Sequence, residues 1–137
     1  DYDVDYLKGR VLLAEPLSST VDDRLLVRAD GSVARLQPTG MILGPNPDAR
    51  YGFGLEQLAP GDILALYTDG VTEAADAGTE NEYGEERLLQ ALRLARRLDP
   101  IAVIDRIFAD VEAHASGSPQ ADDQTLMVIT RTADAPA

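Results

Sequence analysis

Apolar and polar positions change their spacing twice along the chain. Between Arg24 and Leu36 the run Leu25-Leu26-Val27 is parted from Val33 and Leu36 by Ala29-Asp30-Gly31-Ser32. Asp-Gly between two apolar runs predicts a β-hairpin, because glycine accepts the positive φ that the turn demands. Tyr51, Phe53 and Leu55 then alternate with Gly52, Gly54 and Glu56, a period of two that predicts a half-buried strand. After the tight turn Ala59-Pro60-Gly61-Asp62 comes Ile63-Leu64-Ala65-Leu66-Tyr67, a continuous apolar run of strand length.

From Gly84 to Leu98 the spacing becomes three and four, with Leu88, Leu89, Leu92 and Ala95 on one face, which predicts a helix. Asp99-Pro100 ends it and opens a second, since proline suits a first helical position. Ile101, Ile104, Ile107, Phe108 and Val111 form the second stripe, which stops near Gly117. Thr125 to Thr130 is rich in β-formers and predicts the last strand. The remaining segments are less regular. One strand is expected in the first twenty residues, over Val11-Leu12-Leu13-Ala14. Residues 37–50 hold three prolines and two glycines and predict an irregular connection. The tail 132–137 is expected to fray. Strands, then two helices, then a closing strand argue for an α+β fold, with helices on one face of a mainly antiparallel sheet.

The chain has 137 residues, one domain or a large part of one. Its 24 acidic against 12 basic residues give a net charge of -12, which repels phosphate backbones and argues against a nucleic-acid partner. With no cysteine, disulfides, thiolate zinc sites and cysteine nucleophiles are excluded. No apolar run approaches the roughly 20 residues that span a bilayer, and the start Asp1-Tyr2-Asp3-Val4-Asp5 lacks a basic n-region. A cytoplasmic location without a membrane segment is the expectation.

Three acidic stations lie at the ends of apolar strands: Thr68-Asp69-Gly70, then Glu73 four residues after Asp69, then Asp122-Asp123 before the closing strand. Singly, each has an ordinary explanation. Asp-Gly is a common turn, a glutamate in a first helical turn meets the macrodipole, and an acidic pair can sit in solvent. Adjacent like charges repel, so the acidic pair at a strand mouth needs either open solvent or a cation.

The order and spacing of Leu58 to Ala74, of Tyr83-Gly84-Glu85-Glu86-Arg87-Leu88 and of Gln120 to Ile129 resemble the metal-dependent protein phosphatase superfamily, in its stage II sporulation protein E branch. The resemblance covers about Arg24 to Arg131, so residues 1–131 read as the C-terminal portion of such a domain, with 1–23 matching poorly. It implies a phosphatase 2C-like α-β-β-α sandwich of mainly antiparallel sheets flanked by helices. It also implies two Mn²⁺ or Mg²⁺ ions at one edge, where an activated water attacks a phosphomonoester. Carried over by position, Asp69 and Asp122 are metal-binding catalytic carboxylates, Gly70 permits close approach, and Asp123 stands beside the ligands. The implied partner is a phosphorylated bacterial regulatory protein such as an anti-sigma-factor antagonist.

The sequence also departs from the family. A Gly-Asp-x-x-Gly-His-Gly-like motif, whose aspartate bridges the two metals, has no match, and Asp30-Gly31 is better read as a hairpin turn. Ala14-Glu15-Pro16 stands where the family has an Ala-Gly-His-Pro-like stretch. Asp1, Asp3 and Asp5 could stand in for the lost ligands. His114, late on the second helix, reads as a helical residue rather than a catalytic one. A carboxylate pair without its bridging partner binds metal weakly, so the alternative is a phosphatase-fold relic or interaction module without turnover. Half a sandwich exposes sheet edges, which also predicts dimerisation or aggregation.

Overall fold

A computed structural model of the chain describes residues 24–40, 46–76, 78–79 and 81–132, together with the backbone of 2–5 and 10–13. The elements are β1 (Tyr2–Asp5), β2 (Arg10–Leu13), β3 (Arg24–Val27), β4 (Val33–Arg35), β5 (Ile63–Tyr67), α1 (Asp69–Thr72), α2 (Gly84–Ala95), α3 (Pro100–Ala115) and β6 (Leu126–Thr130). β1 pairs with β2, and a four-stranded sheet runs β4-β3-β5-β6, antiparallel throughout. This is an α+β architecture.

The continuous apolar runs are explained by a sheet that is buried on both faces, so that neither parity of the strand can be polar. β3 and β5 are buried at every position. On one face Leu25, Val27, Ile63, Ala65 and Tyr67 meet Leu88, Leu92, Val103, Ile107 and Val111 from the helices. On the other, Leu26, Leu64 and Leu66 pack with Leu58. α2 and α3 contact each other, and they reach the sheet at β3 and β6 respectively. Asp99 caps α3 by accepting from Ala102 N at 3.0 Å, ahead of Pro100 as expected. Tyr83, buried before α2, donates its hydroxyl to Asp110 of α3 at 2.9 Å. Burial, with the neighbouring Asp110 adding to it, pushes the Tyr83 phenol up, so it stays the donor in that bond.

The Asp30-Gly31 hairpin forms as read: Arg28 N donates to Ser32 O, and Gly31 has φ 88. Three expectations need correction. Tyr51 to Glu56 is not a strand, and Phe53 and Leu55 are 92% and 53% exposed. Two glycines in six residues remove the side chains that would pack on a sheet. The first helix stops at Ala95 rather than Leu98. The single strand expected near the start is an antiparallel pair, because the acidic stretch Tyr2–Asp5 finds a partner in Arg10–Leu13. Residues 14–20 and 133–137, where a departure and a frayed end were read, lie outside the described residues, as do the side chains of Asp1, Asp3 and Asp5.

Asp62, 1% exposed, opens β5 and locks the hairpin to it. Its Oδ1 accepts from Ala29 N at 2.9 Å, and its Oδ2 accepts from Ala59 N at 2.9 Å and Arg28 Nη1 at 3.0 Å. Arg28 also donates to Glu56 Oε2 and Gln57 O. Burial works to raise the Asp62 carboxyl, but the Ala59 and Ala29 amides and the Arg28 guanidinium outweigh it and hold it below the usual carboxylate range. The folded value lies below the unfolded one, so the stabilisation is complete above the unfolded value and is lost as pH falls through the folded one. Asp62→Ala should therefore cost about 3 kcal/mol in urea denaturation at neutral pH, because two amides and a guanidinium lose their acceptor. The deficit should shrink as the pH is lowered through the acid range; a cost below about 0.5 kcal/mol at neutral pH would count against this role for the carboxylate.

Candidate metal centre

The antiparallel register of β5 and β6 places the end of one strand beside the start of the other, with Tyr67 opposite Leu126. The residues after Tyr67 therefore lie next to the residues before Leu126. On the β5 side these are Thr68-Asp69-Gly70, and on the β6 side Asp122-Asp123-Gln124-Thr125. The structure thus brings together two segments separated by more than fifty residues in sequence.

Three contacts fasten them. Thr68 N donates to Thr125 O at 3.1 Å, extending the ladder by one bond. The Thr68 hydroxyl donates to Asp123 O at 2.9 Å and accepts from Thr125 N at 2.9 Å. Gly70, buried in the first turn of α1, lies so close to the opposite backbone that a Cβ there would stand 2.5 Å from Asp123 O and 3.2 Å from Asp122 O. No side chain fits that gap. Thr68 as a clamp was not foreseen; a hydroxyl residue immediately before an acid at a strand end was the available signal.

The carboxylates are held by their own loops. Asp69 Oδ1 accepts from Gly70 N at 3.0 Å, and Asp122 Oδ1 accepts from Asp123 N at 2.7 Å. Gln120 Nε2 donates to Asp122 O at 2.8 Å, bracing the acidic loop from its other side. Asp69 is half-buried, whereas Asp122 and Asp123 are exposed. Glu73 is exposed too, and its amide closes the single turn of α1 on Asp69 O at 2.8 Å. His114 is engaged elsewhere, with Nε2 against Asn81 O at 2.8 Å, Arg87 on the ring, and Tyr83 edge-on at 5.7 Å.

The donors available at this junction are carboxylate and carbonyl oxygens, the hard ligands that Mg²⁺ and Mn²⁺ take. Gly70 lacks the Cβ that would wedge the two acidic segments apart, so their backbones lie in close contact. The carboxylates of Asp69, Asp122 and Asp123 and the neighbouring carbonyls are thus donors of the type that such a cation takes. Among the described residues, no group of three histidine, cysteine, aspartate or glutamate side chains converges to hold a metal.

The family profile described as Stage II sporulation protein E matches residues 22–132. The chain belongs to that family. It is 31% identical over 106 residues to Protein IcfG of Synechocystis, an alignment spanning 77% of this chain and 16% of that protein. The fold is that of the protein phosphatase 2C domains. The SiaA-PP2C domain of Pseudomonas aeruginosa superposes with a TM-score of 0.72 at 20% identity, over 90% of this chain and 47% of that one. The phosphatase domain of the cell fate determinant SpoIIE from Bacillus subtilis, presoaked with Mn, gives 0.70 at 20% identity over 99% and 56%. The RsbU and RsbW domains of a Mycobacterium tuberculosis protein give 0.64 at 25% identity over 98% and 37%. The chain thus spans about half the length, or less, of the relatives that it matches. No helix among the described residues is long and apolar enough to cross a membrane.

Two substitutions probe the junction. Gly70→Ala should destabilise the fold by roughly 1–3 kcal/mol, because the obstructing atoms are backbone and cannot rotate away. Thr68→Val should cost about 1 kcal/mol and speed amide exchange at Thr125, while Thr68→Ser keeps the hydroxyl and stays close to the parent. Equal effects of valine and serine would show that the hydroxyl does not fasten the loops.

Proposed function

We propose that this chain supplies the metal-binding carboxylates of a protein serine/threonine phosphatase, which hydrolyses a phosphomonoester on a bacterial regulatory protein. The observation that supports this reading is the junction itself: β5 ends where β6 begins, and the missing Cβ at Gly70 lets the segment that carries Asp69 pack against the segment that carries Asp122. Membership of the stage II sporulation protein E family and the shared phosphatase 2C fold support it.

In this reading Asp69 and Asp122 hold the ion, and Asp123 adds negative charge beside them. When bound, a divalent cation supplies a more acidic water and neutralises phosphoryl charge. Thr68 and Gly70 keep the two segments at a fixed separation, so that the carboxylates are arranged before any cation arrives. The ion is Mn²⁺ or Mg²⁺, two in number when a complete domain supplies the remaining ligands. The substrate class is a phosphoserine or phosphothreonine on a regulator of the anti-sigma-factor-antagonist kind, by resemblance to the family and in keeping with relatives that include an RsbU domain.

The test is hydrolysis of p-nitrophenyl phosphate with and without Mn²⁺, for the parent chain and for Asp69→Asn and Asp122→Asn. Turnover should require the metal. Each variant should lower it at least about a hundredfold, beyond the ten- to hundredfold that accompanies loss of a residue standing behind a ligand. Calorimetric titration should show weaker Mn²⁺ binding in both variants. Metal-independent turnover, or turnover unchanged in both variants, would overturn the reading.

A further inference from the structure

A cavity of roughly 290 Å³ opens beside the acidic loops, walled by three segments that meet there. α3 contributes Phe108, Val111 and Ala115; the chain leaving α1 contributes Ala74 and Ala75; the loop before β6 contributes Pro119 and Ala121. These side chains are apolar, and Val111 among them is buried. Polar groups stand among them, with Gln120 and Gln124 on the loop and Glu112, an exposed residue of α3, supplying a negative charge.

Two of these segments also carry the candidate ligands. Ala121 precedes Asp122 directly, Gln124 comes just after Asp123, and Gln120 is bonded through its amide to Asp122 O. Ala74 lies on the chain that continues from Asp69 through α1. The cavity and the acidic junction therefore share the loop that leads into β6. Ligand pockets run to about 300–1,000 Å³, so this one suits a single side chain better than a cofactor.

We propose that this cavity reads the sequence around the phosphorylated residue of a protein substrate, accepting one apolar side chain and favouring a lysine or arginine next to it. The proposal rests on the phosphatase reading above. With a phosphoserine at the acids, an extended substrate advances about 3.3 Å per residue, so that a nearby side chain can reach the cavity. The small alanines leave the space, Phe108 and Val111 supply the apolar surface, and Glu112 attracts a basic neighbour. An acidic neighbour is repelled by Glu112 and by the net charge of -12.

The experiment uses the whole chain with Mn²⁺ and fluorescein-labelled phosphoserine peptides, in which a leucine is moved from three residues before the phosphoserine to three after it. Binding is read by fluorescence anisotropy, which needs no turnover. Leucine at one position should raise affinity about tenfold or more, and Ala115→Phe, which fills the cavity, should abolish the gain. Glu112→Lys, an exposed substitution that leaves the core intact, should reverse a preference for lysine over glutamate beside that leucine. Affinity that is independent of leucine position, or a gain that both variants leave intact, overturns the pocket. p-Nitrophenyl phosphate hydrolysis by the parent chain is measured in parallel. Metal-dependent turnover without a leucine preference overturns the pocket alone, whereas a leucine preference with turnover that Asp69→Asn and Asp122→Asn both leave unchanged upholds the pocket and overturns the phosphatase reading.

Discussion

The antiparallel ladder between β5 and β6 is the constraint on which the site depends. Because Tyr67 stands opposite Leu126, the chain segments beyond those residues emerge side by side, and both are acidic. Bringing like charges together is unfavourable in itself. The ladder, the double use of the Thr68 hydroxyl and the close approach at Gly70 hold the two acidic segments together against that repulsion.

The ladder can do this because β5 is fixed on every side. It lies between β3 and β6, its two faces are both buried, and its first residue comes directly after the Asp62 lock on the β3–β4 hairpin. A one-residue slip of β6 would send Leu126 and Val128 away from the helices and displace the acidic loop from Gly70. Burial on the helix face therefore specifies the register, and the register specifies the site. The cavity beside the acids results from the same arrangement, since α3 packs on β6 and its last turns lie along the loop that leads into that strand.

Much of this was legible from residue order. The Ile63 to Tyr67 run, the Asp30-Gly31 turn, the Asp99-Pro100 helix start and the closing strand each carry a local signal that tertiary packing reinforces. Asp69 and Asp122 could be singled out because each adjoins a strongly apolar strand. Other features left no local trace. Tyr51, Phe53 and Leu55 have the period of a strand but form none, and their intervening glycines weaken any pairing. Asp62 looked like a turn residue because its partners, Ala29 and Arg28, are more than thirty residues away. The Thr68 clamp and the cavity are likewise products of long-range contact.

The central claim is that Asp69 and Asp122 share one divalent ion across the mouth of β5 and β6. Anomalous diffraction from crystals of the chain grown with Mn²⁺ tests it most directly. The account predicts a manganese peak within about 2.5 Å of a carboxylate oxygen of each residue, the range for hard cations on oxygen ligands. A peak bound to other residues, with those two carboxylates turned away from each other, would contradict it.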